Sequence, residues 1–359
     1  MATDYIVFIH GVCNRSKPDF EAQARQMFNT IKQEIGSNSP RNIEPIFLFW
    51  GNIAADSIAE LSKGLQGSDD DGKTVKDPTD SDTWKKFWFP KLRKNAILNF
   101  VGDAALYLSR GVSVTIIKQL TAQALEQLKL DIPKMQQKSP LTGDQDRLHL
   151  VTHSWGTVIL FDILFADRWE NKDLEPEILK SVENLRSCFF GIGQESDQAA
   201  DTTMKLKDIG IPLASLHTMG SPIALFNLIN SGKGKNFNLT PKLKEFLESS
   251  SKLMGTPLPW QNYAHPGDPI AYPLTGAMKL SLEDAIKFVS LKDIVTTPNA
   301  LEKIVNWIPV FPVSLLNGGS AHGSYWNDPT VAKNIAQVIK STFPVAAMGT
   351  LKQQVVNHV

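Results

Sequence analysis

Ser154, Asp268 and His322 are the residues whose types, order and surroundings could together make a reactive oxygen. A serine hydroxyl attacks poorly unless a base takes its proton and the backbone holds it exposed. A buried strand that ends in Ser and turns sharply into a helix meets the second need. Residues 148–160, LHLVTHSWGTVIL, read that way: an apolar strand pattern leads into Thr152, His153, Ser154, Trp155 and Gly156, and a second apolar stretch follows. The five central residues follow G-x-S-x-G with one departure, since Thr152 stands where the first glycine would be. The same residues also suit a plain strand-to-helix loop with Ser154 as N-cap.

A base and the acid that orients it are expected in the order Ser, Asp, His. HPGDPIAYP, residues 265–273, sets Asp268 in a Pro- and Gly-rich turn beyond a predicted strand, where its carboxylate would orient an imidazole. SAHGSYW, residues 320–326, sets His322 in a small-residue loop before the final predicted helix. His149 and His217 fall inside strand patterns and His358 lies in the tail, which supports His322 as the candidate base. Asp293, in SLKDIV, is nearer to His322 in sequence but sits inside a strand-like run, where it is expected to brace the His322 loop. Developing negative charge on a substrate oxygen needs backbone N–H donors. Trp155 would supply one from the helix start, and Val12 the other from the loop after FIHG, with Cys13 close behind. Cys13 as a rival nucleophile has no base partner in its own loop.

The elements that must position these residues alternate between strand and helix patterns, which predicts an α/β fold with a mainly parallel sheet covered on both faces. Predicted strands are Tyr5 to His10, Ile43 to Gly51, LHLVTH, PLASLHTMG, QNYAH and FVSLKDIVTT. KPDFEAQARQMFNTIKQEIG is amphipathic, with Phe20, Ala24, Met27, Ile31 and Ile35 on one side and Gly36 as its stop, and TVAKNIAQVIKSTF is the final helix. Asn52 to Asp146 break the alternation. They are expected to form a largely helical insertion or cap beside or above a core of residues 1–51 and 147–359. Within it are a short helical piece near Ile53 to Lys63 and a mobile acidic loop near 67–82. No repeat of 20 to 50 residues is present.

Composition limits the remaining classes. The chain has 359 residues, 42% of them hydrophobic, enough for a sizeable core, and equal numbers of acidic and basic residues (37 each) give no general field for nucleic acid, which is not an expected partner. The start, MATDYIVFIHG, lacks the pattern of a secretion signal, and two widely separated cysteines suit a reducing cytoplasm. IVNWIPVFPVSLL, Ile304 to Leu316, is 13 residues long and broken by Pro309 and Pro312, too short to span a bilayer.

FIHG after the first strand, HSWGT, TMGSP and AHGSYW look like the landmarks of serine esterases and lipases of the α/β-hydrolase fold. Within that superfamily ALYL, HSWGTVILFDIL, HPGDPIAYPL, KDIV and H-G-S-YW are similar to intracellular phospholipases A that carry a DDHD domain. The resemblance covers most of the chain and implies hydrolysis of carboxylic esters through an acyl-enzyme on a lipid-like, apolar acyl substrate. Thr152 and a chain shorter than those eukaryotic proteins depart from the pattern. A phospholipase A-type activity is one alternative, and a noncatalytic binding protein that kept the fold is another. The positions that fit the three Asp and one His of the DDHD name are Asp268, Asp293, His322 and Asp328. Their loose spacing lacks a compact ligand pattern, so neither metal nor cofactor is expected. WKKFWFPKLRK, Trp84 to Lys94, has two readings. It suits a peripheral membrane contact, with Lys85, Lys86, Lys91, Arg93 and Lys94 toward anionic headgroups and Trp84, Phe87, Trp88 and Phe89 at the interface. The preferred reading is an amphipathic helix whose rings pack inward onto the insertion's own core while the cations face water.

Overall fold

A computed structural model describes residues 1–53, 55, 99–129, 146–171, 174–190, 210–224, 239–296 and 321–343. β1 (Thr3–Ile9) leads through a loop to α1 (Lys17–Ile35) and β2 (Asn42–Leu48). The helices α2 (Asn99–Leu108) and α3 (Arg110–Leu128) precede β3 (Arg147–His153), which runs through Ser154 straight into α4 (Trp155–Phe165). Then come α5 (Pro176–Cys188), the short β4 (Phe189–Phe190), β5 (Ile211–Met219) and α6 (Thr240–Met254). The rest is β6 (Leu258–Ala264), α7 (Thr275–Leu282), β7 (Val289–Val295) and α8 (Pro329–Ser341).

Six strands form a parallel sheet in the order β2-β1-β3-β5-β6-β7, and β4 pairs with the first residues of β5. Each predicted strand lies in this sheet, and QNYAH proves to be the end of a longer strand that starts at Leu258. From β1 the chain moves outward to β2 on one side and then to β3 on the other. The order therefore reverses between β1 and β3, and the loops after these two strands lie at the carboxyl ends of the switch point, where open parallel sheets bind ligands.

Alternation along the strands splits the core by face. Ile6 and Phe8 of β1, Val151 of β3 and Met219 of β5 pack against α1 and α8. Val7, Ile9, Leu150 and Leu216 face the other way, against α3, α4 and α5. α4 buries all eleven of its residues because it is held between the sheet and a further layer containing α5 and α6. That explains why its sequence is apolar all round, with no polar stripe. α1 shows the opposite pattern: Ser16 caps it by accepting from the Asp19 N–H, and its six buried residues lie on one side.

The described helices of the 52–146 stretch share this core. Ile116, Ile117, Leu120 and Ala124 of α3 are buried with the sheet residues, and Tyr107 of α2 donates to the buried Asp162 of α4 at 2.5 Å. α3 also closes the edge of the sheet. Gln127 accepts from the Phe47 N–H at 2.9 Å and donates to the Phe47 carbonyl at 2.8 Å. One turn earlier, Gln123 does the same for Phe49, at 2.7 and 3.0 Å. The side-chain amides thus stand where a neighbouring strand's backbone would be, and they protect the edge from pairing with another chain. Among the described residues no helix is long and apolar enough to cross a membrane. Ile304 to Leu316, Trp84 to Lys94 and the 67–82 loop lie outside the described residues, as does most of the predicted Ile53 to Lys63 helix.

Replacing Gln123 and Gln127 together by Ala removes four hydrogen bonds from backbone groups at this edge. At ~1 kcal/mol per bond the double variant is expected to lose roughly 3–4 kcal/mol in urea unfolding. It should also scatter light at concentrations where the wild type stays clear. Wild-type stability and clarity would show that the amides are dispensable.

Candidate active site

Ser154 sits at the seam of β3 and α4 with φ 54° and ψ −132°, a left-handed conformation that costs free energy for any residue with a Cβ. Its N–H is tied to the Met219 carbonyl at 2.9 Å, which fixes the seam to the end of β5. Ser154 does stand at the N-cap position of α4, but its side chain makes no capping hydrogen bond. Its Oγ is buried and has no hydrogen-bond partner. Close approach sets the neighbouring residue types. A Cβ on Gly156 would stand 2.2 Å from the His10 carbonyl oxygen, and one on Gly11 would stand 2.3 Å from Ser154 Cβ. At position 152 a threonine is accommodated, since its hydroxyl meets the Thr157 hydroxyl at 2.8 Å.

Asp268 and His322, 54 residues apart, meet at the same end of the sheet, with Asp268 Oδ2 2.8 Å from His322 Nδ1. An ionised carboxylate only accepts, so Nδ1 donates to Asp268 and Nε2 is the ring's remaining nitrogen. That Nε2 is buried and, like Ser154 Oγ, has no hydrogen-bond partner. Asp268 has a side chain fully shielded from solvent. Burial by itself would raise its pKa. Donation from His322, from the Tyr325 hydroxyl at 2.7 Å and from the Ile270 N–H at 3.1 Å outweighs burial and holds the carboxyl below its usual range.

Tyr325 was not singled out by sequence reasoning, although AHGSYW contains it. Its hydroxyl accepts from the His265 N–H at 2.8 Å while donating to Asp268, so it links the Asp268 turn to the His322 segment. Burial and the adjacent Asp268 charge raise its pKa, so the phenol stays protonated. His153 is a second residue of this kind. Its Nε2 donates to the His322 carbonyl at 2.7 Å, and the two rings lie 4.6 Å apart. Only the site's three-dimensional closure brings either residue to bear on His322.

Trp155 opens α4 directly after Ser154, so its N–H lies in the first turn of that helix. Val12 lies in the loop after β1, next to the Gly11 that packs on Ser154. The Cys13 N–H is committed elsewhere, to Asp103 Oδ2 at 2.8 Å. Burial and then the Asp103 charge push the Cys13 thiol up to about 11, against a smaller opposing effect of Arg15, which disfavours the thiolate a nucleophile needs.

Among the described residues Asp293 makes no hydrogen bond with the His322 segment it was expected to brace. It accepts from Asn262 Nδ2, the Leu274 N–H and the Thr275 N–H at 2.8 to 3.0 Å, and so holds the segment that enters α7. Asp328 caps α8 through the Thr330 N–H. Of the four residues matched to the DDHD name, Asp268 and His322 come together, while Asp293 and Asp328 serve other turns. No protein-family model, curated protein or solved structure matches this chain.

Three buried histidines surround or underlie the site in neutral form. Burial lowers the pKa of His10, His153 and His217 to about 3 each. The unfolded chain binds these protons below about 6.5, and the folded chain binds them only near 3. The contribution to stability is therefore complete above pH 6.5 and lost as pH falls toward 3. Urea titrations at pH 7, 6 and 5 are expected to show falling stability, by up to ~4 kcal/mol per pH unit if all three take part. His217→Gln should flatten the slope by about one proton. A pH-independent stability over this range would contradict the neutral assignment.

Proposed function

We propose that the protein is a serine hydrolase of the α/β-hydrolase type that cleaves carboxylic esters through an acyl-enzyme. The observation that carries this reading is the strained Ser154 at the switch point of a parallel sheet, with an oriented His322–Asp268 pair at the same carboxyl end and with Ser154 Oγ and His322 Nε2 each left without a hydrogen-bond partner. A noncatalytic binding protein has no need of that strain or of a buried ionised carboxylate aimed at a histidine.

In the proposed reaction, Ser154 Oγ attacks the ester carbonyl carbon and its proton passes to His322 Nε2. Asp268 stabilises the resulting imidazolium through the Nδ1–H bond, and Tyr325 holds the carboxylate in place from its other side. The Val12 and Trp155 N–H groups receive the oxyanion. His322 then protonates the departing alkoxide. Water, giving a proton to the same Nε2, adds to the acyl carbon, the bond from that carbon to Ser154 Oγ breaks, and His322 returns the proton to Oγ as the acid leaves. An apolar acyl chain is the substrate class that the resemblance favours, with phospholipids as one form of it. The 52–146 stretch would help to roof that chain, and Trp84 to Lys94 would bring the enzyme to a lipid surface. No metal or cofactor takes part in this scheme.

A fluorophosphonate probe followed by intact mass and peptide mapping is expected to give one adduct, on Ser154. Folded protein without that adduct would overturn the hydrolase reading. Against a soluble short-chain ester, Asp268→Asn is expected to lower turnover by orders of magnitude, as far as ~10⁴-fold, because the histidine loses its oriented tautomer. Asp293→Asn should leave turnover within a few-fold. Tyr325→Phe removes one of two donors on Asp268 Oδ2 and is expected to cost roughly 10-fold in kcat with little change in KM. An inactive Asp293→Asn beside an active Asp268→Asn would reassign the acid.

A further inference from the structure

We infer that Asp103, on α2, is a positioning residue that holds the oxyanion loop in register with Ser154. The inference rests on the hydrolase reading above.

The loop is held one peptide plane at a time. A peptide unit is rigid and trans, so fixing a carbonyl fixes the N–H that points the opposite way. The Gly11 carbonyl accepts from His10 Nδ1 at 2.5 Å and from Asn14 Nδ2 at 3.3 Å, which sets the direction of the Val12 N–H. His10 can donate from Nδ1 because its Nε2 accepts from the Trp50 N–H at 3.1 Å. The next plane is tied at both ends: the Val12 carbonyl accepts from Asn14 Nδ2 at 3.2 Å, and the Cys13 N–H donates to Asp103 Oδ2. Val12 is thus held from the plane before it and the plane after it.

Asp103 supplies the restraint that comes from outside the loop. Cys13 has φ 65°, a left-handed conformation that a side-chain-bearing residue keeps only when its surroundings impose it. The carboxylate on its N–H does so. Asp103 is itself fully shielded, and its Oδ1 accepts from Arg15 at 2.7 Å, while Arg15 also reaches the Gly51 carbonyl at 3.2 Å. One turn along α2, Tyr107 is bonded to Asp162 of α4, the helix that begins at Trp155. Asp103 and Tyr107 lie four apart and so share a helix face. Through them α2 grips both the loop of one proposed oxyanion donor and the helix of the other.

The test measures kcat and KM on a soluble short-chain ester, with folding followed by far-ultraviolet circular dichroism. Asp103→Asn keeps the shape and removes the charge. It is expected to lower kcat by about 10- to 100-fold with KM within about 3-fold, a large part of the loss for a missing oxyanion donor. Adding Cys13→Gly, which takes a positive φ without strain, should restore at least several-fold of that kcat. Alkylation of Cys13 by iodoacetamide should also speed up in Asp103→Asn, a readout independent of turnover. If Asp103→Asn fails to fold, Arg15→Gln is expected to show the same kcat-selective loss at smaller size. Wild-type kcat in the folded variant, or a loss that falls on KM and is not rescued by Cys13→Gly, overturns the inference while leaving the Ser154 adduct in place. A wild type that forms no Ser154 adduct overturns both readings together.

Discussion

The left-handed backbone of Ser154 is the constraint from which most of the structure follows. Turning a buried parallel strand into a helix within one residue puts the serine hydroxyl at the carboxyl end of the sheet, but it forces the helix start against neighbouring backbone. Gly156 meets the carbonyl of His10, and Gly11 meets Ser154 itself, so both positions exclude any Cβ. The seam stays in place because its N–H is bonded to Met219 at the end of β5. It also stays because α4 is packed on every side, which requires the apolar sequence found from Trp155 to Phe165.

Electrostatics around the seam follow from burial. One group, Asp268, is kept ionised by three donors that replace the water it lost. The histidines nearby are kept neutral by the same loss of water, and His10 and His153 each carry the proton on the nitrogen that has a carbonyl to meet. His322 differs from His10 and His153 in that its paired nitrogen faces a carboxylate, which would stabilise a second proton on the ring during the proposed reaction. A further polar group lies deeper on the same face as α1 and α8. Arg41 pairs with Asp4, and His149, Ser215 and His217 form a hydrogen-bonded row across β3 and β5. These groups are satisfied only in part: Asp4 Oδ1, His149 Nε2 and His217 Nδ1 are buried without a hydrogen-bond partner, the first two 3.6 Å apart.

The helices between β2 and β3 are part of this economy of burial. α3 covers one face of the sheet, seals its β2 edge with glutamine amides and packs on α5, where Thr121 donates to the Ser181 carbonyl at 3.1 Å. α2 reaches the loop after β1. The two described helices of the stretch are therefore structural members of the sheet's core.

Much of this was legible in the sequence. Strand and helix periodicity predicted the parallel α/β arrangement, because buried strands read as short apolar runs and α1 as a one-sided stripe. Ser154, Asp268 and His322 were recognisable because each stands at the end of a predicted element, in small or turn-forming residues that local rules identify. Tertiary structure decided what depends on distant segments meeting. Tyr325 and His153 acquire their roles only when the His322 segment returns to β3 and β6, Asp293 turned out to serve the α7 turn, and the grip of Asp103 on Cys13 spans 90 residues. Periodicity reports which face of an element is buried. It carries no information on which polar atom of another element will lie 2.8 Å away, since that is fixed by strand order and helix placement together.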